Sequence, residues 1–581
     1  MADPALDPLA EHVWRSRYRY ADGGEEAENG PADTLARVAG AVAAVERDPA
    51  AWASRFRSLM AGFRFLPGGR ILANAGTQRT STLLNCFVMG PIEDSLAGIF
   101  EALKEAALTL QQGGGVGYDF STLRPRGVAA RSSGAVAAGP VAWMRLWDEA
   151  CATVTAGQPR GGAMMATLRV DHPDVLEFAA AKRAGGALER FNLSVAVTDA
   201  FLSAVDAGAS WPLSFPPPQP HARERVPAMR RELAARALWQ AIGEEAAATA
   251  EPGVLFLDTL ERENNLRWCE RLAATNPCGE APLPPYGACD LGSLNLPAFI
   301  LDPFGPRSRL DGEALAEAAR DAVRLLDDVL DIARYPLTRQ REAATSTRRI
   351  GLGLTGLGDA LAMLGLRYDS AEGRDWAAST MERIKLAAYA ASVDLAMEKG
   401  PFPAWEREPY LESAFIRRLP PEQRDRLARH GIRNSHLLAI APAGSISLLA
   451  GNVSPGLEPI PARVQRRRLE APSGDEVDFE TEDRAWAMFR RLHQAGASDV
   501  FIEAREVAVA DQLAMQACLQ PHVDGAISKT VALPEAATGQ DAAATFREAH
   551  RLGLKGCTVY RPGTVRGEAI TAAGCARCVP D

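Results

Sequence analysis

Along the first 155 residues the apolar positions alternate between two periods. Helical spacing over Leu35 to Val45 and Ala51 to Met60 predicts a small N-terminal helical region, residues 1–65. A loop-rich stretch, Leu66-Pro-Gly-Gly-Arg-Ile-Leu-Ala-Asn-Ala-Gly-Thr77, then leads to Leu83-Leu-Asn-Cys-Phe-Val-Met89, an apolar run of strand length that contains Asn85 and Cys86. Asp94 and Ser95 supply an N-cap for a helix from about Leu96 to Gln112, with Leu96, Ile99, Phe100, Leu103 and Leu110 at helical spacing. Gly113-Gly-Gly-Val-Gly117 ends that helix with bare backbone. A second amphipathic helix is expected from about Pro140 to Thr155, followed by a flexible basic loop, Gly157-Gln-Pro-Arg-Gly-Gly162.

Strand and helix alternation continues through Phe191-Asn-Leu-Ser-Val-Ala-Val197, and Phe215-Pro-Pro-Pro-Gln-Pro220 is a surface excursion. Helices dominate later, over Leu315 to Ile332 and Ala377 to Glu398, before Leu437-Leu-Ala-Ile-Ala-Pro442 reads as a buried strand. The pattern is α/β, without internal repeats. Gly351-Leu-Gly-Leu-Thr-Gly356 fits a dinucleotide fingerprint, yet it follows Arg348-Arg-Ile and no suitable acid comes about 20 residues on, so it is assigned to helix packing. Residues 562–581 are small, polar and glycine-punctuated, and read as a mobile tail ending in Cys575-Ala-Arg-Cys578.

Composition narrows the class. With 581 residues, 47% apolar and 24% charged, the chain has the make-up of a soluble globular protein. A net charge of -9 argues against a general nucleic-acid surface. The start lacks a signal peptide, and no apolar run approaches the roughly 20 residues of a membrane span. Nine cysteines at irregular spacings are unlike a disulfide scaffold and point to a reducing cytoplasm.

Chemistry concentrates in Thr275-Asn-Pro-Cys-Gly-Glu-Ala-Pro-Leu-Pro284. Pro277 biases Asn276 to extended backbone, and in an extended segment Asn276, Cys278 and Glu280 share one face. A thiol nucleophile usually has a histidine beside it, and none of the eight histidines is near in sequence. The segment reads either as thiol chemistry of another kind, with Glu280 handling a substrate proton, or as a buried cysteine in a proline-rich loop. Cys289, eleven residues after Cys278, can return beside it; singly, Cys86 and Cys289 read as small buried hydrophobes. The terminal CxxC is half of a zinc site at most, and suits thiol–disulfide exchange on a mobile tail. No metal site is assigned. Ala443-Gly-Ser-Ile-Ser447 is a phosphate cradle if a helix follows, or an ordinary strand-to-helix turn.

Taken in order, Leu84-Asn-Cys86, Gly113-Gly-Gly-Val-Gly, Thr275-Asn-Pro-Cys-Gly-Glu280, Arg349-Ile-Gly-Leu-Gly, Ala441-Pro-Ala-Gly-Ser-Ile-Ser447, Ile527-Ser-Lys-Thr530, Gly556-Cys-Thr-Val-Tyr-Arg-Pro562 and the terminal CxxC resemble the catalytic chain of ribonucleotide reductases, most closely the adenosylcobalamin-dependent class II enzymes. The resemblance implies a ten-stranded α/β barrel over 66–561, two five-stranded parallel halves arranged antiparallel, with the Cys278 loop at its centre. It implies that Cys278 becomes a thiyl radical that abstracts the ribose 3′ hydrogen, that Glu280 takes the 3′-hydroxyl proton and that Asn276 orients the sugar. Cys86 and Cys289 are implied to reduce the 2′ position and become a disulfide, which Cys575 and Cys578 then reduce. Substrate contacts fall on Asn85, Gly114 and the run Pro442, Ala443, Gly444, Ser445, Ile446 and Ser447. Ala443 stands where many relatives carry threonine.

The same resemblance places an effector site for deoxynucleotides or ATP at a homodimer interface. Asp94, Ser95 and Leu96 match its base position and Arg124 and Arg131 its phosphate-binding arginines, with 95–112 and 140–155 as dimer helices and Gly157 to Met164 as a relay loop. A thioredoxin- or glutaredoxin-like reductant is implied as partner. Class I chains take their radical through adjacent tyrosines near the C-terminus; the matching stretch here reads Cys557-Thr-Val-Tyr560. That favours adenosylcobalamin as cofactor, with no corrin motif to locate its site. Two alternatives are a class I large subunit with a separate radical-generating subunit, and a non-catalytic nucleotide-binding regulator on the same barrel.

Overall fold

The computed structural model describes residues 6–21, 28–129, 134, 136–156, 162–183, 185–216, 229–470, 476–493 and 499–564. The chain opens on helices at Pro8–Val13, Pro31–Ala43 and Pro49–Met60, with a π turn at Trp14–Tyr18. Each of the three helices has proline at its start, where no N–H is needed, and Asp7 and Asp48 cap two of them.

Two sheets follow. Five strands run parallel in the order Cys86–Val88, Gly115–Asp119, Met164–Arg169, Phe191–Val197 and Gly253–Phe256. The last three are almost wholly buried, as parallel strands covered on both faces must be. Ala288–Cys289 pairs antiparallel with the first of these strands, and Gly556–Tyr560 antiparallel with the fifth. Thr530–Ala532 completes the eight-stranded sheet beside Gly556–Tyr560, parallel to it. In a three-stranded sheet Leu291–Asn295 lies between Phe65–Pro67, antiparallel, and Gly351–Thr355, parallel. Parallel bridges at Leu352–Leu438 and Ile440–Ile527 extend this series. The protein is thus mixed α/β with an N-terminal helical region.

Two expectations change here. Gly351–Thr355, assigned above to helix packing, is a fully buried parallel strand. Its glycines serve close approach: a Cβ on Gly351 or Gly353 would collide with the side chain of Leu291 or the carbonyl of Ala439. Leu437 to Pro442, expected as a strand, is buried through Ala441 but held by single bridges at Leu438 and Ile440. The helix predictions near 96–112 and 140–155 are close, the observed spans being Leu96–Gln111 and Pro140–Val154, which pack against each other. Among the described residues no helix is long and apolar enough to cross a membrane.

A short hairpin, Ala274–Thr275 with Pro282–Leu283, crosses the face of the parallel sheet. It sits so close to Gly117 that a Cβ there would collide with the Thr275 carbonyl oxygen. Gly117→Ala should therefore cost about 1–3 kcal/mol of stability, because a backbone carbonyl cannot rotate away. Calorimetric melting checks this, and an unchanged transition would contradict the close packing.

Candidate active site

The Thr275–Pro284 segment turns back on itself instead of staying extended. The N–H of Asn276 donates to the Ala281 carbonyl at 3.2 Å and that of Gly279 to the Asn276 carbonyl at 3.2 Å. Gly279 sits at φ 87, in the region that favours glycine. The expected shared face of an extended strand is thus corrected. Asn276 and Glu280 still meet, because the turn folds them together: Asn276 Nδ2 donates to Glu280 Oε1 at 2.8 Å. Asn276 Oδ1 accepts the N–H groups of Gly279 at 3.1 Å and Ala281 at 3.0 Å, so this side chain also builds the turn. Cys278 lies half-buried at the tip, facing a cavity of about 1850 Å³. A second tether comes from Asn192, whose Nδ2 donates to the Pro277 carbonyl at 2.7 Å.

Cys86 and Cys289 are direct partners across the antiparallel pair of Cys86–Val88 and Ala288–Cys289. Opposed residues in such a pair have Cα atoms about 4.5–5.5 Å apart, within the span of about 4.4–6.8 Å that a disulfide bridges. Both are free thiols here. Burial, and next the neighbouring Glu280 carboxylate, push the Cys86 thiol up to about 12; burial holds Cys289 well above the usual thiol range. At neutral pH both keep their protons, which suits donation of hydrogen rather than thiolate attack. The Asn276 amide and the Gly115 N–H act in the opposite direction, favouring the Cys86 thiolate without overcoming its burial.

Glu280 is buried, and that burial raises its carboxyl to about 7 against the opposing pull of its hydrogen bonds. Its Oε2 has no hydrogen-bond partner among the described residues. A carboxylate poised near neutrality with one unpartnered oxygen has the chemistry of a proton acceptor, and Glu280 lines a small pocket that it shares with Cys289.

Beyond the Leu437 segment, Ala443 adopts φ 52 and a helix runs over Gly444–Leu449. Its first N–H groups have no intrahelical acceptor. Pro442, Gly444 and Ser447 line the same cavity as Cys278. The serine hydroxyls are engaged with protein: Tyr18 Oη donates to Ser445 Oγ at 2.7 Å, and Ser447 Oγ bonds Thr355 Oγ1 at 2.7 Å. Ile446 is buried behind them. Gly114 is not among the cavity-lining residues; a Cβ on it would press on the Phe87 ring and Thr109. Asn85 ties strands together through its backbone, from its N–H to Cys289 O at 3.3 Å and from Gly115 N–H to its own carbonyl at 2.9 Å.

Two family models match the chain: ribonucleotide reductase, barrel domain, over residues 84–560, and ribonucleotide reductase, all-alpha domain, over residues 5–80. The chain belongs to the ribonucleotide reductase family. It is 40% identical over 592 residues to the vitamin B12-dependent ribonucleoside-diphosphate reductase of Mycobacterium tuberculosis (strain CDC 1551 / Oshkosh), covering 98% of this chain and 81% of that one. A protein of the same name from Thermoplasma acidophilum is 35% identical over 538 residues, covering 89% of this chain and 66% of the relative. The ribonucleoside-diphosphate reductase large subunit of Caenorhabditis elegans is 28% identical over 432 residues, or 68% of this chain and 54% of the other.

In this ribonucleotide reductase the residues expected at an effector site are only partly brought together. Arg124 is bound to Asp94, with Nε to Oδ2 at 2.8 Å and Nη2 to the Asp94 carbonyl at 3.0 Å. Ser95 Oγ accepts the Gly98 N–H at 3.0 Å and so caps the helix, while Leu96 is exposed. Arg131, Cys575, Cys578 and residues 157–161 of the relay loop lie outside the described residues. Asn192 and Tyr18 were not picked out from the sequence. They stand 85 and 427 residues from their partners, and no local spacing marks such pairs.

Proposed function

We propose that the chain reduces ribonucleotides, ribonucleoside diphosphates in particular, to 2′-deoxyribonucleotides by thiyl-radical chemistry that depends on adenosylcobalamin. Cys278 at the wall of one large cavity, on a turn that bonds Asn276 to Glu280, with the opposed Cys86 and Cys289 buried near that carboxylate, carries this reading. The vitamin B12-dependent names of the similar proteins support the cofactor. Cys278 as a thiyl takes the ribose 3′ hydrogen, and Glu280 Oε2 accepts the 3′-hydroxyl proton. The 2′-hydroxyl then leaves as water while Cys86 and Cys289 give two hydrogens and close a disulfide. Ribonucleotide and two thiols thus become deoxyribonucleotide, water and disulfide. The Gly444 end of the phosphate loop offers its N–H groups to the substrate phosphates.

Ligand pockets usually measure about 300–1,000 Å³, so a cavity of about 1850 Å³ leaves room for a nucleotide and a much larger cofactor. Val453, Pro455, Pro459, Pro461 and Ala462 form an apolar stretch of wall on which a corrin edge would pack. Adenosylcobalamin, when bound, supplies by homolysis of its cobalt–carbon bond the radical that oxidises the Cys278 thiol.

Cys575 and Cys578 are assigned to recharging the disulfide from a thioredoxin- or glutaredoxin-like reductant. Cys575→Ser should abolish turnover driven by such proteins while sparing that driven by small dithiols; equal loss with both would refute the shuttle. The domain plan is an N-terminal helical region, 1–65, a catalytic domain, 66–561, and a tail. The two parallel strand series, joined antiparallel at Cys86–Val88 and at Gly253–Phe256, support a ten-stranded barrel. Exposed Leu96, Phe100 and Leu108 support a homodimer through the Leu96–Gln111 helix, with deoxynucleotide or ATP effectors at Asp94, Ser95, Leu96, Arg124 and Arg131. The reaction is placed in the cytoplasm.

The deciding assay combines purified protein, a dithiol, a ribonucleoside diphosphate and adenosylcobalamin, and measures deoxynucleotide. Product is expected. No product with the cofactor, but product after adding an iron- or manganese-bearing subunit, would overturn the class II reading.

A further inference from the structure

The N-terminal helical region reaches the catalytic cavity. Its π turn, Trp14–Tyr18, sends Tyr18 Oη to Ser445 Oγ in the phosphate loop, and the preceding residue, Arg17, lines the cavity together with Pro442, Gly444 and Ser447. Arg17 is half-buried and makes no ion pair among the described residues. A second cation comes from the strand Val464–Glu470: Arg467 lines the same cavity, and among the described residues its guanidinium bonds only amide oxygens, Gln465 Oε1 at 2.6 and 3.0 Å and Asn452 Oδ1 at 3.3 Å. Asn452 in turn donates its N–H to Leu448, in the helix that begins at Gly444. Burial draws the Arg467 guanidinium down to about 10, and it stays charged at neutral pH.

Most other cations on this wall have a carboxylate partner, Arg190 being without an ion pair among the described residues. Arg463 and Arg505 share Glu503, Lys529 pairs with Glu458 and Lys182 with Glu251. A guanidinium withdrawn from water without a countercharge, as Arg467 is, is costly, and a cavity wall that adds half-buried Arg17 beside the phosphate loop is suited to an anion. The helix N–H groups serve one phosphate. A terminal phosphate carries about two further negative charges and needs cations.

Resting on the reaction proposed above, we infer that Arg17 and Arg467 bind the terminal phosphate of a ribonucleoside diphosphate and so set the enzyme's preference for diphosphates over monophosphates. The helical region is then part of the substrate site and not only a cover.

The test compares wild type with Arg17→Gln, Arg467→Gln and Arg17→Lys. Kinetics give KM and kcat for a ribonucleoside diphosphate, and equilibrium dialysis gives Kd for the di- and monophosphates of the same nucleoside and for adenosylcobalamin. Each glutamine variant should raise KM and Kd for the diphosphate about tenfold, with kcat within about threefold and the monophosphate within about twofold; Arg17→Lys should recover part of the loss. Equal weakening of both nucleotides, or an unchanged diphosphate affinity, would overturn the inference. So would weaker adenosylcobalamin binding with diphosphate binding intact, which would assign the arginines to the cofactor's phosphodiester. Should Arg467→Gln not fold, as judged by its melting transition, Arg17→Gln decides alone. A wild type that binds the diphosphate more tightly than the monophosphate but forms no deoxynucleotide would fail the reaction and not the phosphate site.

Discussion

Cys278→Ser abolishes deoxynucleotide formation with every reductant, by about 10⁴-fold or more, because a serine O–H bond is too strong to be opened by the radical that opens a thiol S–H. The residue sits half-exposed at a turn tip, where one sulfur-to-oxygen change costs less than about 1 kcal/mol of stability. Melting temperature and nucleotide affinity should therefore match wild type. Retention of turnover would remove Cys278 from the centre of the reaction. The same experiment separates it from Cys86 and Cys289: a single serine at either still leaves Cys278 able to react once with bound nucleotide, so loss there should appear as a failure to form and recycle the disulfide.

Glu280→Gln lowers kcat by about 10²–10⁴-fold, the contribution typical of a positioned general base. Glutamine keeps an oxygen for the Asn276 Nδ2 contact, so the turn should survive. The wild-type rate carries a further signature. Burial lifts the Glu280 carboxyl from 4.5 to about 7, so the proton-accepting carboxylate is scarce below that value and abundant above it. Activity should climb as pH rises through about 7 and then level, and the Gln variant should lose this limb. Stability runs the other way. The folded state holds this proton more tightly than the unfolded chain, so Glu280 makes the fold less stable as pH rises from 4.5 toward 7, and the Gln variant removes that loss. A pH–rate profile identical in both proteins would exclude Glu280 as the base.

The legible parts of this chain were those set by short-range rules. Helix caps at Asp94-Ser95, the period of Leu96 to Leu110 and the order of cysteine, glycine and phosphate-loop motifs identified the elements and the family. Failures came where one local preference outweighed another, or where a long-range contact set the demand. Pro277 favours extension at Asn276, yet the chain turns two residues later because Gly279 accepts positive φ and Asn276 Oδ1 takes two backbone N–H groups. The glycines of Gly351–Thr355 looked like helix packing because what demands them, Leu291 and Ala439, lies far off in sequence.

The sequence by itself therefore determined the reagents: a thiol without a histidine, a carboxylate two residues on, two distant cysteines and a glycine-serine loop. It could do so because reactivity belongs to residue types and to neighbours within a few positions. Only the tertiary structure decided that Cys86 faces Cys289, that Asn276 bonds Glu280 across a turn, that Asn192 pins the Cys278 turn, and that Tyr18 of the helical region reaches Ser445. Those contacts join segments up to 427 residues apart. Chain connectivity does not fix such distances; the burial of apolar surface on folding does.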